Sequence, residues 1–354
     1  MIKKLLSAIK KPKFWTILLA VLFLVYAFHD INFIAMWKSI QHANYYFITI
    51  AIVLGAIPYY LRSLRWKLII DASQRVSFNN ILKYYMIGFF TNNILPLRMG
   101  EGIRIFLVNR KEKVPVMSLI GTCVMERFLD GLSLLAMMFI LSYFHGAFPK
   151  VLIVLARIVI GLIIAILALY LIIKHDKFKL RHLIKKFLKK VLPEKAYEKI
   201  ASGYRNFSEG FKMLHNFRSF SLSTVVTFAV WVVEFFQCYL LFYAFYLVPD
   251  KISNPILAGF VPLLYINLGS MVPSGPGDVG LFQFFGRLAL VTTLKIEPSL
   301  ALSYVMLFHI SYLLPPFIFG TIALWKEKLN VHDIRKIADE EKEMEENLIH
   351  PKKK

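Results

Sequence analysis

Charged residues standing inside long apolar runs are the first sign of chemistry in this chain. Glu126, Arg127 and Asp130 fall within the run 116–143, and Glu234 falls within 220–248. Glu126 and Asp130 are four apart, so a helix places them on one face. If these runs cross a bilayer, each charge costs about 2.5–3.5 kcal/mol at the centre on insertion scales, and an ionisable group there is a functional candidate by default. Arg62 and Arg65, at the end of the run 45–61, are the expected partners of the acids. The bland alternative is a set of internal salt bridges that only locks helices together. His309 is expected to be a hydrogen-bonded core residue.

Two further apolar stretches, 78–107 and 256–294, are interrupted midway by Pro and Gly. The first break reads Asn92-Asn93-Ile94-Leu95-Pro96-Leu97-Arg98-Met99-Gly100-Glu101-Gly102, and the second reads Met271-Val272-Pro273-Ser274-Gly275-Pro276-Gly277-Asp278-Val279-Gly280. Both contain Pro-x-x-x-Gly-acid, which pairs Pro96, Gly100 and Glu101 with Pro273, Gly277 and Asp278. Proline removes an N–H and glycine admits unusual dihedrals, so backbone amides and carbonyls are freed at the break. At membrane depth such groups persist only when buried in protein or lining a wet cavity. The N-terminus of a half-helix there carries partial positive charge and suits phosphate. Arg98 and Arg104, beside the first break, add full charges able to grip it. The second break offers Ser274 and glycine amides, with Gly275 where the first has Arg98.

The elements that must position these residues follow from composition. Of 354 residues 57% are hydrophobic, with 43 Lys+Arg against 22 Asp+Glu and a net charge of +21. Soluble domains are about 45–50% apolar. Nucleic-acid-binding domains spread basic residues over a polar surface, whereas here they flank apolar runs; no nucleic-acid partner is expected. The expected fold is an all-α polytopic membrane protein. About six full spans cover 14–31, 45–61, 116–143, 150–173, 220–248 and 298–325, each near the ~17–25 residues a bilayer requires. The two broken stretches are read as re-entrant hairpins of half-helices. With the N-terminus inside, 36 of the 43 basic residues fall on cytoplasmic segments, a strong positive-inside bias. That orientation gives a multi-pass protein of a prokaryotic cytoplasmic membrane, both termini cytoplasmic.

Under this topology the hairpins enter from opposite sides, each between two spans. Residues 45–143 and 220–325 then form inverted-topology repeats, an architecture of secondary transporters. The whole of 1–325 is one membrane domain, and 326–354 is a charged cytoplasmic tail. Segment 174–218 holds 13 basic and 4 acidic residues. Within it Leu180, Leu183, Ile184, Phe187, Leu188, Val191 and Leu192 follow helical spacing opposite lysines, read as an interfacial helix on an anionic leaflet or as a connecting helix on the bundle.

The elements Arg62-x-x-Arg65, Asn93-x-x-Pro96-x-Arg98-x-Gly100-Glu101-x-x-Arg104, Glu126-Arg127-x-x-Asp130 and Pro273-x-Gly275-x-Gly277-x-x-Gly280 resemble the flippase-like membrane domain of lysylphosphatidylglycerol synthases, over about residues 12–328. In the fused members of that family the resemblance implies movement of aminoacylated phosphatidylglycerol from the inner to the outer leaflet. No counterpart of their soluble aminoacyl-transferase domain follows Trp325, so lysyl transfer is not expected. This chain also departs from the pattern at the second break, with Asp278 and Gln283 where members often carry a further glycine and a glutamate.

The expected function is a lipid flippase or transporter for a phosphate-containing lipid, either a phospholipid or a polyprenyl-phosphate-linked intermediate. Membrane lipids are the expected partners, and a homo-oligomer is compatible with the sequence. The alternative is a membrane-embedded enzyme or accessory protein of lipid or glycolipid synthesis, such as a phosphatidylglycerol lysyltransferase-related protein. Asp130-Gly131 opens like a CDP-alcohol phosphotransferase signature, but 131–143 contains no further aspartate. Neither a Gly-rich nucleotide loop, a His/Cys metal spacing nor a Gly-x-Ser-x-Gly elbow occurs, so no cofactor, metal or catalytic residue is expected.

Overall fold

A computed structural model describes residues 12–145, 150–174, 194–247, 254–272 and 275–337. Pro273, Ser274, the stretch 180–192 and the tail from 338 lie outside the described residues. The described chain is all α-helical and polytopic. Its helices are α1 (Pro12–Phe28), α2 (Phe33–Gln41), α3 (Tyr45–Leu54), α4 (Ile57–Asp71), α5 (Phe78–Ile94), α6 (Gly100–Glu112), α7 (Val116–His145), α8 (Lys150–Lys174), α9 (Glu194–Glu209), α10 (Phe217–Ala244), α11 (Pro255–Gly269), α12 (Leu281–Leu288) and α13 (Pro298–Glu327).

Tyr45–Asp71, Phe217–Ala244 and Pro298–Glu327 are both long and apolar enough to cross a membrane. The other expected spans differ for identifiable reasons. The first is bent by 82° between Phe28 and Phe33, where Asp30 has φ 61° and the Asn32 side chain caps α2 by accepting from Ala35 N–H. The third, α7, has 30 residues but carries Glu126, Arg127 and Asp130. The fourth, α8, has 25. The second span runs past Leu61 to Asp71, so Arg62 and Arg65 stand inside a helix instead of ending it. Carboxylates on neighbouring helices neutralise both, which removes the reason to place them in water.

Polar contacts gather at two ends. At one, Lys83 meets Glu327, Lys111 lies 3.3 Å from the same carboxylate, and Gln74 donates to the Glu112 carbonyl. At the other, Asn44 N–H donates to the Ala244 carbonyl at 2.8 Å, and Asn32 N–H donates to the Ser299 hydroxyl at 3.2 Å. The outer ends of α5 and α6 lie in the first group. The breaks of the two helix pairs, α5–α6 and α11–α12, meet at an ion pair of Arg98 with Asp278. Between them α13 carries Pro315 and Pro316. Tyr59 O–H donates at 2.8 Å to the Tyr312 carbonyl, the acceptor that Pro316 cannot serve.

Candidate functional site

The first break begins at Leu95, extended at φ −105°, ψ 142° because the residue before a proline is pushed out of the helical region. Leu97 and Arg98 then take left-handed conformations, φ 64° and 53°. Side chains in that region cost about 1–3 kcal/mol each and persist where surroundings over-determine them. Here the Asn92 side chain accepts from Gly100 N–H at 2.8 Å, capping α6 from the end of α5. The two arms also cross at Gly88 and Gly100, where a Cβ on Gly100 would lie 1.8 Å from the Gly88 carbonyl oxygen. Asn93 donates to the Leu313 carbonyl of α13 at 3.2 Å.

Gly277 and Asp278 are the left-handed pair of the second break, φ 62° and 55°, followed by Gly280 at 88°. The spacing match of Gly100 with Gly277 thus does not carry over into conformation: Gly100 opens a helix, whereas Gly277 makes a turn. His309 proves to be the fastening of this turn. Its Nε2 lies 2.8 Å from the Gly277 carbonyl and its Nδ1 2.8 Å from Gln283 Nε2, while Gln283 Oε1 accepts from Gly280 N–H at 2.8 Å. Each donor finds an acceptor only with the imidazole proton on Nε2. Phe282 stacks on the ring at 4.2 Å.

The two breaks meet at an ion pair, Arg98 Nη2 to Asp278 Oδ2 at 3.2 Å. Beside it lies a cavity of about 420 Å³ whose wall includes Arg62, Arg65, Asn92, Asn93, Leu97, Arg98, Glu101, Arg127, Asp130, Gly275, Gly277 and Asp278. Trp231 and Tyr312, near the middles of α10 and α13, line it too, so the cavity sits halfway along the long helices. Arg62 Nη2 pairs with Glu234 at 2.7 Å. Arg65 forks onto Asp130 at 2.5 and 3.3 Å, with Glu126 at 3.6 Å. More exposed, Arg127 lies 3.6 Å from Glu101. The wall carries four arginines against three carboxylates, and Glu234, lining a smaller adjoining void, balances the fourth.

Arg104 is the expectation the structure corrects. It is 2% exposed and absent from the cavity wall, its guanidinium 2.6 Å from Glu126 and 4.4 and 4.7 Å from the ring centres of Trp66 and Tyr85. A cation held between two rings and a carboxylate ties α6 to α7 and does not line the cavity. Glu126 accordingly belongs to the bland reading, while Asp130, one turn on, faces the cavity. Pro96, Gly100 and Gly280 shape backbone without lining the wall. Sequence reasoning missed Trp231, Asn267 and Ser270. Trp231 was legible, since it stands three before Glu234 on the same helical face; Asn267 and Ser270 gave no signal. Among the described residues no group of three His, Cys, Asp or Glu is placed to hold a metal ion.

Fold and site together define a polytopic α-helical membrane protein with a charged cavity halfway along its long helices, between two broken helix pairs. A family model for the lysylphosphatidylglycerol synthase transmembrane region matches residues 13–320. The chain belongs to that family. It is similar to the UPF0104 membrane protein MJ1595 of Methanocaldococcus jannaschii, 27% identical over 297 residues that cover 81% of this chain and 86% of the relative. A UPF0104 membrane protein of Methanothermobacter thermautotrophicus is 23% identical over 66% of this chain and 75% of its own length. The M. jannaschii protein MJ1078 is 23% identical over 68% and 96%.

Proposed function

We propose that this protein moves a phosphate-bearing lipid across the cytoplasmic membrane, its headgroup passing through the cavity while the tails stay in the bilayer. The carrying observation is the Arg98–Asp278 junction, where the two breaks meet beside a cavity halfway along the long helices. In this reading the hairpins are re-entrant and the halves 45–143 and 220–325 are inverted repeats, as in transporters whose sites lie at the repeat interface. Positive-inside charge supports cytoplasmic termini. Family membership supports a lipid as the cargo.

A phosphate arriving at the junction competes with Asp278 for Arg98, and a bidentate guanidinium is the suited partner. Asn92, Asn93, Glu101, Arg127 and Asp130 line the same path. The test is flipping of a labelled phospholipid in proteoliposomes at matched reconstitution. Arg98→Ala is expected to lose at least about tenfold and Arg98→Lys to recover only part, as expected when a charge-assisted hydrogen bond is removed. Undiminished flipping in Arg98→Ala would sink the proposal. Thiol labelling of Lys113→Cys and Lys295→Cys, at the outer ends of the two broken pairs, from either side tests the topology, with access from opposite faces expected.

A further inference from the structure

Beside the large cavity lies a second void of about 30 Å³, whose polar wall is Glu234, Gln237, Asn267, Ser270, Asp278 and Tyr312. The rest of its wall is apolar. Three of these residues commit their hydrogens elsewhere. Gln237, 3% exposed, donates Nε2 to the Ser311 hydroxyl at 2.9 Å. That hydroxyl gives its own hydrogen to the Phe308 carbonyl at 2.7 Å, so only the amide nitrogen of Gln237 can face it. Asn267 donates Nδ2 to the Leu263 carbonyl at 3.0 Å, which fixes its orientation in the same way. Ser270 donates Oγ–H to the Asn267 carbonyl at 2.8 Å. Gln237 Oε1 and Asn267 Oδ1 have no hydrogen-bond partner among the described residues. Unlike the enclosed nitrogens of Arg62 and Trp231, both oxygens keep accessible surface. What these three residues have left to offer is lone pairs.

A place lined by lone pairs suits a cation, and size and charge narrow the choice. A water-sized particle needs at least about 10–15 Å³ of such space, so the void takes a bare ion but no hydration shell. Glu234 and Asp278 are already answered by Arg62 and Arg98. The void is therefore neutral and suits one positive charge better than two. Magnesium, which keeps several waters, and calcium, which takes about six to eight oxygens, both need more. Asn267 and Ser270 stand at the last turn and cap of α11, whose dipole adds negative potential there. We infer that Gln237, Asn267 and Ser270, with the carboxylates of Glu234 and Asp278, form a site for a sodium ion. The Tyr312 hydroxyl presents a lone pair as readily as its hydrogen. Asn267, Ser270, Asp278 and Tyr312 also line the larger cavity, which gives the ion an entry path. The site stands on this void alone, whatever the larger cavity carries. Because sodium and Arg98 share Asp278, each weakens the other's hold.

The test is binding of radiolabelled sodium to the purified full chain, read by scintillation proximity in choline chloride at constant ionic strength. Wild type is expected to bind saturably, with unlabelled sodium displacing the label at least about tenfold better than potassium, the larger ion. Ser270→Ala and Gln237→Leu each remove one oxygen. Each should weaken binding at least about tenfold, the scale set by polar groups around a bound metal. Melting temperatures in sodium-free buffer show that both variants fold. Arg98→Ala should bind sodium more tightly, since Asp278 then has one cation fewer to share. Absence of saturable binding by wild type would overturn the site and leave the void to an ordered water. So would both oxygen-deleted variants binding like wild type. Potassium displacing the label as well as sodium does would overturn sodium as the ion. Lipid movement plays no part in this readout, so the transport reading can fail while the site stands.

Discussion

At the first break the residues with left-handed backbone are Leu97 and Arg98; at the second they are Gly277 and Asp278. Two side chains accept that conformation in one hairpin and only one in the other, so the first break holds the greater strain. Their fastenings differ as well. The first is closed within its own hairpin, by the Asn92 cap and the Gly88–Gly100 crossing. From outside, α13 holds the second through His309, and α1 presses Ala20 against Gly280, where a Cβ would lie 2.3 Å from the Ala20 carbonyl oxygen. The first hairpin thus carries more of its own closure, with Asn93 tied to α13 besides, and the second leans more on its neighbours.

The sharpest way to break this contrast is to add one carbon at each crossing. Gly100→Ala is expected to abolish recovery of monodisperse protein, since Cβ and the Gly88 oxygen cannot share 1.8 Å. Gly280→Ala, strained at φ 88°, should lower the melting temperature yet leave folded protein, because α1 can yield; size-exclusion chromatography and thermal melts read both. Next in size is the lock beside the first break. Removing the cation in Arg104→Met leaves Glu126 charged and buried, a loss of about 3–5 kcal/mol, and adding Glu126→Gln should restore most of it in a double-mutant cycle. A double variant no better than the single one would mean that the pair itself is not the lock.

Smaller effects separate strain from fastening. Leu97→Gly is expected to raise stability by about 1 kcal/mol if left-handed strain outweighs the entropy glycine adds to the unfolded chain. No gain would remove the argument that the first break is the strained one. His309→Ala should cost about 1–2 kcal/mol, for the bonds to Gly277 and Gln283. It should also raise hydrogen exchange at 275–283 while leaving 92–104 unchanged. Equal exchange at both breaks would show that they are coupled and not independently held.

Much of this contrast was legible in the residues. Apolar run lengths gave the long helices, Pro and Gly gave both breaks, and opposed charges such as Arg62 and Glu234 announced their own pairing. The extension of α4 to Asp71 was not legible, because a local reading of polarity ends the helix where charges begin, and only residues 60 or more away neutralise them. Arg104 was misread for the same reason: spacing places it near the first break but cannot show Trp66 and Tyr85 closing over it. His309 and Gln283 are ordinary alone and gain meaning only across the 26 residues that separate them.

The contacts of α1 and α2 have a consequence for biogenesis. Arg287 donates to the Tyr26 carbonyl across 261 positions of sequence, and Asn32 and Met36 find Ser299 and Ser303 across 267. At a synthesis rate of about 5–20 residues per second, α1 and α2 wait roughly 13–50 s for the partners that fix them. Thus α1 leaves the ribosome long before the helices it docks on, and a chain truncated before Ser299 should show faster hydrogen exchange at the Asn32 amide than the full chain does.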